Sequence, residues 1–266
     1  MDIKSYVKEE KLKLKEEIVC LDVTPSFVII QVNDDPASNA YVKGKINDAN
    51  EVGIKVELRK FPSTISEEEL LYEVRKANDD PSIHGLIVQM PLPKHINEEM
   101  VKLSVDPKKD IDGFHPMSLM SPCTPKGIID YLKSENFSFV GKNALIIGRS
   151  NIVGKPMAKL LLKEHCNTTI VHSRTTREDM EFYVNHADLI VIAIGKTAFL
   201  DDTFKYKPTA VIVDVGINRT EEGLKGDAQR DLPVALQTPV PGGVGLLTRL
   251  SLIENLLKIY NKKYKI

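Results

Sequence analysis

The chain has 266 residues, 42% of them apolar, enough for one large core or two modest ones. Charged residues make up 27% and the formal net charge is −1, so no global field draws nucleic acid or a membrane, and partners must be recognised by a local site. The start is charged from Asp2 onward and no apolar run reaches spanning length, which predicts a cytoplasmic protein with neither signal peptide nor transmembrane helix.

In chain order, Ile3, Val7, Leu14 and Ile18 recur at helical spacing through the charged residues 3–18, an amphipathic helix. Phe27 to Val32 is a short apolar, β-branched run, the mark of a buried parallel strand. Asp34-Asp35-Pro36 turns the chain, and Ser38 is expected to cap a helix from Asn39 to Val52, ended by Gly53. Ile54 to Leu58 reads as a second strand. Ser66 with Glu69 forms a capping box opening a helix over 67–77. Gly85 to Met90 is a third buried strand, stopped by Pro91 and Pro93.

A second βα series begins after Pro125. It predicts helix 126–134, strand 143–147, a glycine-containing turn 148–154, helix 155–164, strand 168–172, helix 177–185, strands 188–194 and 210–215, and a C-terminal helical segment 247–260. Such alternation means α/β architecture with parallel sheets. Pro116, Pro122 and Pro125 cluster at a boundary. The expected division is a domain of 1–120, completed by 246–266, and a second domain of 121–245. Cys20, Cys123 and Cys166 lie far apart without metal-ligand spacing, so reduced thiols and no metal site are expected.

The buried strand ending at Ile147 runs into Gly148-Arg-Ser-Asn-Ile-Val-Gly154 and then a helix, the context a dinucleotide phosphate needs. Ser150 stands where the second glycine of the usual fingerprint belongs, and its β-carbon crowds a pyrophosphate lying on the turn, so a glycine turn used only for packing stays open. The next strand ends in His172-Ser173-Arg174-Thr175 with no acid. A cationic, hydroxyl-rich strand end, with Arg149 in the adjacent turn, suits a 2′-phosphate and favours NADP over NAD.

Elsewhere, Tyr41 and Lys45 stand one helical turn apart on one face, which taken alone describes a surface pair. Gln89 is a polar residue at the end of a buried strand, where ligands of parallel sheets collect. Asp112, before Gly113, reads equally as a ligand carboxylate or as a turn former.

In order along the chain come Ser38-x-x-Tyr41 through Lys45, Val88-Gln-Met-Pro-Leu-Pro93, Asp110-Ile-Asp-Gly-Phe114, Pro122-Cys-Thr-Pro125, Gly148 through Pro156, His172-Ser-Arg-Thr175, Asp214-Val-Gly-Ile-Asn218 and Thr238-Pro-Val-Pro-Gly-Gly-Val-Gly245. Over nearly its whole length the sequence resembles the bifunctional methylenetetrahydrofolate dehydrogenase/methenyltetrahydrofolate cyclohydrolase family. The resemblance implies two α/β domains flanking a cleft, the second Rossmann-like and NADP-binding. It implies NADP-dependent oxidation of 5,10-methylenetetrahydrofolate, hydrolysis to 10-formyltetrahydrofolate, and a homodimer. Lys45 matches the catalytic lysine, Gln89 its hydrogen-bond partner, Tyr41 the aromatic stacked on the folate, and Asp112 the carboxylate that holds the pterin. Pro241, Gly242 and Gly243 match a loop closing over the folate. Gly148, Arg149 and Ser150 match the phosphate turn, Ser173 the 2′-phosphate contact, and Ile217 the backbone beside the nicotinamide.

The chain departs from the family pattern in the short link Met117–Ser121 and in Leu246-Leu247, where Pro-Met is usual. Rival readings are a monofunctional NAD-dependent dehydrogenase and a non-catalytic folate or nucleotide binder. Lys45 argues against the first, and the set Tyr41, Lys45, Gln89 and Asp112 against the second.

Overall fold

Strand β1, Ser26–Val32, follows helix α1, Ile3–Val19, in the computed structural model, which describes residues 2–264. The expected domain ends at Met1, Lys265 and Ile266 lie outside the described residues. The chain divides into two compact units. One holds Lys8–Cys123 and the chain from Arg249 on; the other holds the start up to Val7 and Thr124–Thr248.

In the first unit, β1 is followed by α2 (Pro36–Val52), β2 (Lys55–Phe61), α3 (Glu67–Asp79), β3 (Gly85–Gln89) and α4 (Glu98–Ser104). The three strands form a parallel sheet in the order β2-β1-β3, with Phe27 opposite Val56 and Gly85. The period of two along β1 divides its side chains between two cores. Phe27 and Ile29 pack with Val42, Ala49 and Val52 of α2 and with Leu252 and Leu256. Val28, Ile30 and Val32 pack with Leu70 and Val74 of α3 and Val101 of α4. Because β2 and β3 flank β1 on opposite sides, the carboxyl end of β1 is a topological switch point, the place where open parallel sheets collect ligands.

Two details differ from the sequence expectations here. The α2 cap is Asp35, not Ser38: the Asp35 carboxylate accepts from the Ser38 amide at 2.8 Å, and Pro36 opens the helix. Proline suits that place because its missing N–H has no helical partner there anyway. Strand β2 runs on to Phe61, past the expected Leu58; as an edge strand it tolerates charges that mask it in the sequence. The expected capping box is formed, with the Ser66 hydroxyl accepting from Glu69 N and the Glu69 carboxylate accepting from Ser66 N.

The second unit contains α5 (Cys123–Ser134, from Thr124 on), β4 (Asn143–Ile147), α6 (Gly154–Lys163), β5 (Asn167–Val171), α7 (Arg177–His186), β6 (Leu189–Ile192) and β7 (Val211–Asp214). A hairpin of β8 (Asn218–Thr220) and β9 (Gly223–Lys225) follows, then β10 (Leu236–Gln237). The main sheet is parallel, ordered β10-β7-β6-β4-β5. Ala144 and Ile146 face Ile128 and Leu132 of α5 and Met157 and Leu161 of α6. Leu145 and Ile147 face Met180 and Val184 of α7. The order reverses at β4, with β5 on one side and β6 on the other, so the turn after Ile147 lies at the switch point. Helix α8, Val244–Tyr264, runs from this unit into the first.

Candidate active site

In the first unit the geometry centres on the ends of β1 and β3. Tyr41 and Lys45 lie on α2 while Val42 and Ala49 of the same helix enter the core. Tyr41 remains 36% exposed, but the Lys45 side chain is only 7% exposed. Its Nζ lies 3.8 Å from Asp112 Oδ1, an ion pair looser than a hydrogen bond. Burial pushes the Asp112 carboxyl up, and the Lys45 ammonium opposes that shift.

The turn that presents Asp112 is held by a different carboxylate. Asp110 bridges to Leu86 of β3 and accepts from Gly113 N at 3.0 Å and His115 N at 2.8 Å. Gly113 has φ +75°, and a Cβ there would stand 2.6 Å from the Ser121 carbonyl carbon, so the loop closes tightly on itself. The short link is thereby tied down: Asn255 of α8 donates to Ile111 O at 2.9 Å and Ser121 O at 3.1 Å. The turn-forming role left open for Asp112 thus belongs to Asp110. Sequence reasoning missed Asp110, although an Asp three residues before a Gly is itself a turn signal.

Gln89 ends β3, but its expected hydrogen bond to Lys45 is not formed. Its Nε2 donates to Met90 O at 2.7 Å, and its Oε1 is buried without a partner. Close by on α2, Asp48 pairs with two cations, Lys11 Nζ and Arg249 Nε, each at 2.6 Å.

In the second unit, Gly148 follows β4 with φ +120°, and a Cβ there would stand 2.5 Å from Ala193 O, so only glycine fits. Ser150 has a local role beside the one read from the sequence. Its Oγ accepts from Val153 N at 3.1 Å and Gly154 N at 3.3 Å, satisfying two amides at the start of α6. Arg149 and Ser150 are exposed, as are Ser173 and Arg174 beyond β5. Gly148 N donates to Val171 O at 2.9 Å, joining the two strand ends. No acid follows β5 before Thr176. Ile217, 47% exposed, follows β7. The sheet therefore gathers Gly148, Arg149, Ser150, Ser173 and Ile217 at the carboxyl ends of its strands.

Pro241, Gly242 and Gly243 belong to this second unit, whereas Tyr41, Lys45, Gln89 and Asp112 belong to the first. Gly242 has φ +91°. A Cβ on Gly243 would stand 2.2 Å from Pro239 O. Among the described residues no group of three or more His, Cys, Asp or Glu could hold a metal, and no helix is long and apolar enough to cross a membrane.

Residues 1–112 match the family described as tetrahydrofolate dehydrogenase/cyclohydrolase, catalytic domain, and residues 122–264 match its NAD(P)-binding domain. The bifunctional protein FolD of Streptococcus thermophilus is 47% identical, over 93% of this chain and 89% of its own. The crystal structure of the bifunctional FolD dehydrogenase/cyclohydrolase of Campylobacter jejuni superposes with a TM-score of 0.93 at 37% identity, covering 98% of this chain and 97% of that one. The Trypanosoma brucei dehydrogenase-cyclohydrolase, solved with NADP and an inhibitor, gives a TM-score of 0.94 at 28% identity, covering 100% and 98%.

Proposed function

The chain belongs to the tetrahydrofolate dehydrogenase/cyclohydrolase family, and from that premise we propose how its residues divide the work. The protein is a bifunctional enzyme of folate one-carbon metabolism. It oxidises 5,10-methylenetetrahydrofolate to the 5,10-methenyl form with NADP, then hydrolyses that to 10-formyltetrahydrofolate. The first unit takes the folate and the second takes the cofactor.

The residues at the strand ends of the second sheet fit NADP. Gly148 lets the turn pass close against Ala193 at the switch point, and Arg149, Ser173 and Arg174 are open to solvent with no competing acid. Arg149 and Ser173 hold the 2′-phosphate by charge-assisted bonds, Gly148 and Ser150 line the pyrophosphate turn, and the backbone at Ile217 flanks the nicotinamide. NADP, when bound, supplies the hydride acceptor. The protein's part in that step is to orient the folate methylene carbon and to exclude water.

In the first unit, Tyr41 offers its exposed ring as a platform for the conjugated part of the folate. Asp112 accepts from the adjacent amino and ring N–H groups of the pterin. Pro241, Gly242 and Gly243 form the loop that closes on the ligand, with glycine permitting close backbone approach. In the hydrolysis, Lys45 directs a water to the methenyl carbon and handles its proton. Gln89 steadies Lys45 through its free Oε1 once the ligand rearranges the site. The observation that carries this reading is the buried Lys45–Asp112 ion pair, held at 3.8 Å, together with the buried and unpartnered Gln89 oxygen at the end of β3.

A homodimer in the cytoplasm is part of the same proposal and rests on the family resemblance. The test is to follow NADPH formation from methylenetetrahydrofolate, with NAD in parallel, and the disappearance of supplied methenyltetrahydrofolate. Reduction of NADP with hydrolysis supports the reading. Hydrolysis with no reduction of NADP overturns the cofactor half, and the absence of both overturns the whole.

A further inference from the structure

We infer that Asp227, with Asp214 behind it, is a positioning residue for hydride transfer, fixing the chain on both sides of Ile217, at the Gly216 amide and the Asn218 side chain, and so the nicotinamide edge of the cofactor site. The inference rests on the reading of Ile217 given above.

Asp227 is 0% exposed, and among the described residues its carboxylate faces neutral N–H donors. Oδ2 accepts from Ile194 N at 2.7 Å and Gly195 N at 3.0 Å. Oδ1 accepts from Lys196 N at 2.8 Å and from the Asn218 side-chain amide at 2.8 Å. One carboxylate therefore ties the loop leaving β6 to the first residue of β8. Asp214, the last residue of β7, is 2% exposed and completes the network. Its Oδ1 accepts from Gly216 N at 2.9 Å and Asp227 N at 3.0 Å, and its Oδ2 from Ala228 N at 2.8 Å. Gly216 and Asn218 are thus each held by a buried carboxylate, and between them Ile217 keeps an open side chain.

The chain makes room for both carboxylates with glycine. A Cβ on Gly216 would stand 2.2 Å from Asp227 Cγ, and one on Gly226 would stand 1.9 Å from Asp214 Oδ2. Neither glycine has positive φ, so what they supply is space and not backbone freedom. Burying two carboxylates side by side without a cation is costly, and a loop that merely closes the fold does not need it. What the arrangement achieves is a set of backbone segments that cannot shift independently, at the ends of β6 and β7. Hydride transfer moves a hydrogen with its electron pair from the folate methylene carbon to the oxidised nicotinamide ring, leaving the methenyl cation and NADPH. That step is sensitive to small misplacements of the acceptor ring.

Asp227→Asn keeps the shape but turns an N–H2 toward N–H donors, so the loop must move. In the full-length enzyme the dehydrogenase kcat is expected to fall about tenfold or more, with a larger isotope effect on kcat from substrate deuterated at the methylene carbon. Hydrolysis of supplied methenyltetrahydrofolate is expected to stay within about twofold of wild type. Affinity for adenosine 2′,5′-bisphosphate, which reports on the Arg149 and Ser173 side and on the folding of the second unit, is expected to be unchanged. Gly226→Ala, which displaces Asp214, is expected to give the same pattern. The inference is overturned if kcat and the isotope effect do not change, or if bisphosphate binding collapses with them, which makes Asp227 a general scaffold residue. A wild-type enzyme that fails to reduce NADP sinks the functional reading instead.

Discussion

Replacing Lys45 by Met removes the ammonium and keeps the bulk of the stem, so it isolates what the charge does. The Lys45 and Asp112 charges stand 3.8 Å apart, with side chains 7% and 12% exposed. At that distance, with an effective dielectric of about 20, their attraction is on the order of 4 kcal/mol. Burial already raises the Asp112 carboxyl above its ordinary value, and Lys45 is the group that opposes the rise. Without the ammonium the shift grows. A carboxyl whose folded pKa exceeds its unfolded value stabilises the fold at low pH and loses that contribution as pH rises through the folded pKa. Lys45→Met is therefore expected to be less stable than wild type, and by more at pH 8 than at pH 5. Urea unfolding followed by far-ultraviolet circular dichroism at the two pH values measures this. Adding Asp112→Asn removes the stranded charge and is expected to restore most of the loss, while neither variant hydrolyses methenyltetrahydrofolate. A stability loss that is the same at both pH values, or no recovery in the double variant, refutes the electrostatic argument. Wild-type hydrolysis by Lys45→Met refutes the catalytic one.

Arg149→Ala is expected to raise the Michaelis constant for NADP roughly tenfold, about 1.4 kcal/mol, and to leave that for NAD nearly unchanged. Equal losses for the two cofactors make Arg149 a pyrophosphate or turn residue. Ser66→Ala removes the hydroxyl that accepts from Glu69 N and should cost about 1 kcal/mol, read as a lower urea midpoint; an unmoved midpoint contradicts the capping assignment. Burial pushes the Asp214 carboxyl from 3.8 up to about 6, against the pull of three backbone amides. Its ionisation thus costs the fold about 3 kcal/mol at neutral pH, and stability should rise as pH falls from about 7 to about 5. Asp214→Asn should flatten that rise, and a wild-type profile with no rise contradicts the burial penalty.

The parts of the fold that are legible in the sequence are those where one physical demand dominates. Strands β1, β3 and β4 are buried on both faces, so each is a nearly unbroken apolar run with turn residues at its end. The start of α2 is harder, because Asp35, Pro36 and Ser38 are all competent helix-opening residues and local preference does not rank them. Helix α4 and the β8–β9 hairpin are not legible at all. Hairpin strand positions are half-buried or exposed and mostly polar, with no apolar period to read. In the site, the spacing of Tyr41 and Lys45 is informative because α2 is regular over that stretch. The helix-opening role of Ser150 is not legible, because its hydroxyl's partners, Val153 N and Gly154 N, are set by the path of the turn and not by residue type.

Asp110, Asp112, Asp214 and Asp227 are all buried, and nothing in their neighbours along the chain separates them. Three of the four have carboxylates that accept from backbone amides, which are immobile once the fold has formed, so each serves to hold a segment of chain. Only Asp112 faces a side-chain cation, at a distance that leaves the pair incompletely satisfied. An amide-bound carboxylate has little capacity left for a ligand, because its lone pairs are committed. A carboxylate facing a lysine across a gap can exchange that partner for the N–H groups of a substrate, and the lysine so released can act on water. The contrast supports the proposed role of Asp112 in binding and sets the other three apart as supports. It becomes visible only when the partners are in place, because it lies in which atoms the turn brings to each oxygen.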